Sequence, residues 1–70
     1  MERKTYVERI KQLREEDGLS QAQLAKAVGI SQAAIALWEL GDRTPSADAI
    51  IKLAEFFDVS ADYLLGLKDE

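Results

Sequence analysis

Four serines constrain this chain more than any other feature. Ser20, Ser31, Ser46 and Ser60 each follow an apolar residue, and a second apolar residue comes five positions after the first, giving the pairs Leu19/Leu24, Ile30/Ile35, Pro45/Ile50 and Val59/Leu64. A serine oxygen accepts one of the backbone N–H groups that the first turn of a helix leaves free, and the flanking pair has the spacing of a hydrophobic staple. Gln23 adds a capping box to Ser20, and Thr5 with Glu8 offers the same box without a staple. Gly18, Gly29, Gly41 and Gly66 separate the apolar segments, the one proline is Pro45, and no stretch alternates long enough for a strand. The pattern predicts five helices, at about 5–17, 20–27, 31–39, 46–57 and 60–65. Tyr6, Ile10 and Leu13 form the apolar stripe of the first, and Ile50, Leu53, Ala54 and Phe57 that of the fourth. Helices this short are marginal alone, so they must share one core. The expectation is an all-α, compact five-helix fold forming a single domain over residues 1–70.

Composition narrows the function classes. The chain has no cysteine and no histidine, which removes disulfides, thiolate or imidazole metal sites and histidine-based catalysis. Stability must come from apolar packing, and a hydrophobic content of 47% makes that feasible. Met1-Glu2-Arg3-Lys4 opens a charged amphipathic segment unlike a signal peptide, and no apolar run reaches membrane-span length. A cytoplasmic protein with no membrane partner, no cofactor and no small-molecule ligand is expected. The net charge of −4 is unevenly placed: the first 35 residues carry six basic and five acidic side chains, the last 35 three and eight. Between Ser20 and Trp38 there is one lysine and no carboxylate. A nucleic-acid-facing surface there would be near neutral and not repulsive.

The second and third predicted helices are joined by the very short turn Val28-Gly29-Ile30. Gly29 lets the chain leave one helix through a left-handed residue. Ala25, four residues earlier, is small where two steeply crossing helices would approach closely. Leu24, Val28, Ile30, Ile35 and Trp38 are apolar at the spacing that seals the angle between them. In this order these features point to a DNA-binding helix-turn-helix.

On these residues the stretch LSQAQLAKAVGISQAAIALWELGDRTPSADAIIKLAEFFDVSADYLLGL, with REEDG before it, resembles the Cro/lambda-repressor-type helix-turn-helix family (the xenobiotic-response-element regulators). The resemblance implies a small transcriptional regulator, a repressor type, binding double-stranded DNA at a palindromic operator as a homodimer. It puts Gln32, Ala33, Ala36 and Leu37 at the base-reading positions of a third helix in the major groove. Gln21, Ser31, Arg43 and Thr44 fall at phosphate-contacting positions, and Arg14 and Glu39 match a buried pair linking the first and third helices. Ala25 and Gly29 support the recognition helix. Where many relatives carry Ser, Thr, Lys or Arg, this reading face has Ala33, Ala34, Ala36 and Leu37, leaving Gln32 as its one long polar side chain. Gln32 suits adenine, and alanine or leucine suits a thymine methyl, so an A/T-rich site is expected.

Plainer roles compete for several of these residues. The serines serve as caps, since no base stands beside them to make a nucleophile. Glu15, Glu16 and Asp17 read as a solvated helix end, and Trp38, Phe56, Phe57 and Tyr63 as core. An alternative to DNA binding is a degenerate helix-turn-helix whose apolar face of Ala33, Ala36, Leu37 and Leu40 packs on another protein. An enzyme is not supported by any catalytic constellation. The segment Tyr63-Leu64-Leu65-Gly66-Leu67 either closes the core or supplies a symmetric contact between two copies.

Overall fold

The computed structural model describes the backbone of residues 5–68 and the side chains of residues 6–68. It contains α1 (Thr5–Glu16), α2 (Gln21–Val28), α3 (Gln32–Leu40), α4 (Ala47–Phe57) and α5 (Ala61–Leu65), with no strand among the described residues. All four serines act as N-caps in extended backbone, each accepting from the N–H three residues on: Gln23, Ala34, Ala49 and Tyr63, at 3.0–3.1 Å. The Ser20/Gln23 box is closed in both directions, the Ser20 N–H donating to Gln23 Oε1 at 2.8 Å. The Thr5/Glu8 box lies outside the described side chains. Four helix starts fall one residue later than expected, because the serines lie just outside the helices they start, and the ends of α1, α2 and α3 each differ by one residue.

The connectors explain how short helices pack so tightly. Gly18, Gly29 and Asp58 each adopt left-handed backbone, and the residue after each donates back into the preceding helix: Leu19 to Arg14, Ile30 to Ala25 and Val59 to Ala54, all at 3.0 Å. This is the Schellman closure. The same apolar residue stands one position before the next serine cap. Leu19, Ile30 and Val59 therefore end one helix and staple the next, and all three pack on the core. Asp58, at φ 56°, occupies the left-handed position that the sequence pattern marks elsewhere with glycine. The α3–α4 connector breaks this form. After Gly41 the closing residue is Asp42, which is exposed, and the loop continues through Arg43 and Thr44 to the buried Pro45.

Each helix contributes one large, fully buried side chain: Ile10, Leu24, Ile35, Leu53 and Leu64. Three of these, with Ile50, are the fourth helical residues paired with the staples, so the local start signal and the core use the same side chains. Tyr6, Val7, Ala25, Trp38, Ala49 and Ala54 complete the core, with Leu13 and Phe57 partly buried against it. Val7 was not anticipated from the stripe of α1, and Phe56, expected inside, is 41% exposed. Helix α3 packs on α1 and α2, α5 packs on α1 and α4, and α4 also meets α2. Arg9 ties α1 to the end of α5. Its guanidinium lies 4.1 Å from the centre of the Tyr63 ring and donates to the carbonyls of Tyr63 and, at 2.6 Å, Lys68.

Candidate nucleic-acid interface

Helix α3 has two distinct sides. Ile35 and Trp38 are buried, whereas Gln32, Ala33, Ala36, Leu37 and Leu40 recur at the spacing of the other side. Gln32 and Ala33, in the first turn, are exposed, and Ala36 and Leu37 are half-buried. Leu40 is 73% exposed. The side chain of Ser31 is engaged at its oxygen by the Ala34 N–H at 3.1 Å, which leaves its hydroxyl proton for another acceptor.

The turn ahead of α3 is built as the sequence implies. Gly29 has φ 72° and ψ 36°, its N–H closing on Ala25, and Ala25 is 6% exposed among the core side chains. Nothing lies within 4 Å of the space a Cβ would occupy at Gly29, so its requirement for glycine is conformational and not steric.

Arg14 and Glu39 meet as a bidentate pair. Arg14 Nε is 2.7 Å from Glu39 Oε2 and Nη2 is 2.9 Å from Oε1, with the side chains 11% and 5% exposed. A planar guanidinium matches a carboxylate in this way, and the geometry fixes orientation as well as distance. Arg14 Nη1 also donates to the Leu19 carbonyl at 2.8 Å, so one side chain holds α1, the entry to α2 and the end of α3. Burial alone would raise the Glu39 carboxyl. Hydrogen bonds from Arg14 and Gln21, with the positive charges of Arg14 and Lys11, outweigh it and hold the group below the ordinary glutamate range. Arg14 is raised, chiefly by its hydrogen bond to Glu39.

Gln21 opens α2 and is half-buried, its Nε2 donating to Glu39 Oε1 at 3.1 Å. Sequence reasoning placed Gln21 and Glu39 in separate roles and missed their contact. Arg43 and Thr44 are both exposed, on the loop after α3. The Tyr6 hydroxyl donates to the Arg43 carbonyl at 3.4 Å and lies 3.3 Å from Thr44 Oγ1. The helical periodicity alone marks Tyr6 only as part of an apolar stripe. A tyrosine at a core position was itself a signal, because its hydroxyl needs a polar partner once the ring is buried.

The comparisons with known proteins agree with this geometry. The family model described as helix-turn-helix matches residues 10–64. The uncharacterized HTH-type transcriptional regulator YobD of Bacillus subtilis is 38% identical over 65 residues, which cover 93% of this chain and 58% of that protein. The chain spans about half the length of the curated relatives it matches. The crystal structure of the P22 c2 repressor in complex with a synthetic operator is similar at a TM-score of 0.82 and 35% identity, covering 90% of this chain and 96% of that one. The N-terminal DNA-binding domain of SinR from Bacillus subtilis is similar at a TM-score of 0.84 and 33% identity, covering 94% and 97%. With the two capped helices around Gly29, the Arg14–Glu39 pair behind them and these matches along nearly its whole length, the chain belongs to the Cro/C1-type helix-turn-helix family.

Proposed function

We propose that this chain is a sequence-specific double-stranded DNA-binding module of a transcriptional regulator of repressor type, acting in the cytoplasm and without enzymatic activity. The observation that carries the reading is its likeness, over 90% of its length, to a repressor in complex with a synthetic operator. In this reading residues 1–70 form one DNA-binding domain and α3 enters the major groove. Gln32 takes a bidentate contact to adenine, while Ala33, Ala36 and Leu37 meet thymine methyls. Gln21, Ser31, Arg43 and Thr44 contact phosphates, and Ala25, Gly29, Arg14 and Glu39 hold the recognition helix in place. With one long polar reader the chain discriminates weakly by itself, so two copies on a palindromic operator are expected. Leu65 and Leu67, 42% and 72% exposed beyond the buried Leu64, are the residues proposed to meet in that homodimer.

Selection from a random duplex pool, followed by titration of the recovered sequence at several salt concentrations, tests the reading. The expected result is an A/T-rich consensus, weakened by Gln32→Ala, with Arg43→Ala reducing the salt slope by about one unit per half-site. A second reading, docking on another protein, is favoured by one observation: the 73% exposed Leu40 extends the apolar side of α3 beyond Ala33, Ala36 and Leu37. Failure to enrich any duplex at low salt would leave that reading standing.

A further inference from the structure

We propose that Glu39 is a positioning residue for Gln21, fixing the direction in which its side-chain amide offers a hydrogen bond to DNA; this rests on the reading of Gln21 as a phosphate contact. An ionised carboxylate only accepts, so the Gln21 amide facing Glu39 Oε1 at 3.1 Å must present Nε2. A phosphate oxygen likewise only accepts. One N–H of the planar NH2 group is committed to Glu39, and the other is the group that serves phosphate. The two N–H bonds diverge at a fixed angle, so anchoring the first aims the second. A glutamine without that anchor would have to be ordered during binding, at a cost in affinity.

Arg14 makes the arrangement tolerable next to DNA. Its two hydrogen bonds to Glu39 neutralise the carboxylate, and its third, to the Leu19 carbonyl, holds the residue that precedes the Ser20 cap. The backbone at the start of α2 and the acceptor for its first side chain are therefore set by the same guanidinium. The order of dependence is Arg14 to Glu39 to Gln21.

A double-mutant cycle on the selected duplex tests this. Gln21→Ala is expected to weaken binding about ten-fold, as loss of one hydrogen bond to a charged group does. The Arg14→Met/Glu39→Leu variant, with its fold verified by circular dichroism, is expected to weaken binding to a similar degree, and adding Gln21→Ala to it should cost almost nothing more. An equal ten-fold loss from Gln21→Ala in both backgrounds would overturn the proposal. If the paired variant fails to fold, the side-chain amide signals of the unaltered protein decide. One Gln21 Nε2 proton should be protected before and after duplex is added, and the second should shift only on addition. Release of the protected proton on binding, or free exchange of both protons throughout, overturns it. If the unaltered chain enriches no duplex, the DNA-binding reading fails and this inference with it.

Discussion

Removing Arg14 while leaving Glu39 in place should remove about half of this protein's stability, and removing both should restore most of it. The side chains are 11% and 5% exposed, and Arg14→Met deletes all the cationic contacts that Glu39 receives from it. Glu39 would keep the Gln21 hydrogen bond at 3.1 Å and the weaker attraction of Lys11, which together do not compensate a charge on a side chain this little exposed. Breaking a buried pair from one side costs about 3–5 kcal/mol, against a total stability of about 4–10 kcal/mol for a chain this long. In urea, at about 1 kcal/mol/M, the midpoint should fall by roughly 3 M or more, followed by the far-ultraviolet circular dichroism of the helices. Arg14→Met/Glu39→Leu replaces the pair by apolar side chains and should lie within about 2 kcal/mol of the unaltered protein, or above it. The acid limb supplies a second readout. Glu39 lies below the ordinary glutamate range when folded, so its contribution is complete above the unfolded value of about 4.3 and is lost as pH falls through the lower folded value. The double variant should lack that component of acid destabilisation. A loss of less than about 1 kcal/mol for Arg14→Met, the size expected of an exposed pair, would refute the reasoning.

Other perturbations address the connectors and the loop. At Asp58, whose φ is 56°, substitution by glycine should be neutral or stabilising by up to about 1 kcal/mol, and by valine destabilising by about 1–2 kcal/mol; thermal denaturation of both variants checks the contrast. Ala25→Leu, at a side chain 6% exposed in the core, should overpack it and cost about 1–3 kcal/mol, lowering the melting temperature by at least about 4 °C. Tyr6→Phe should cost about 1 kcal/mol or less globally, yet speed hydrogen exchange at the Asp42 and Arg43 amides that close on the Leu37 carbonyl. Unchanged exchange at those two amides would mean that the hydroxyl does not hold the loop.

The helices and their order were legible because their signals are local. A serine cap, its staple and a left-handed glycine act within about six residues, so the residues that mark a helix end are readable from a short stretch, although the helix itself is stable only in the shared core. Asp58 marks the limit of this reading. Its left-handed backbone is imposed by the Val59 to Ala54 closure and the start of α5, and no glycine announces it. Arg14 and Glu39 came into view through the family resemblance, and the pairing distances came from the fold.

Residues far apart in sequence were a different matter. Tyr6 reaches Arg43 and Thr44 across 37 and 38 positions, Arg9 reaches Tyr63 across 54, and Gln21 reaches Glu39 across 18. No periodicity encodes such pairs, because each depends on how two helix axes cross and how far a long side chain extends. The same holds for Phe56, whose hydropathy says core and whose place in the packed bundle leaves it 41% exposed, and for Leu65 and Leu67, which the sequence left open between core and surface and the packing leaves exposed. The sequence by itself determined where each helix starts and stops and which side chain of each seeks the interior. Only the tertiary structure decided which polar groups besides Arg14 and Glu39 meet and whether Phe56, Leu65 and Leu67 stay outside, since both follow from distances set once the five helices share one core.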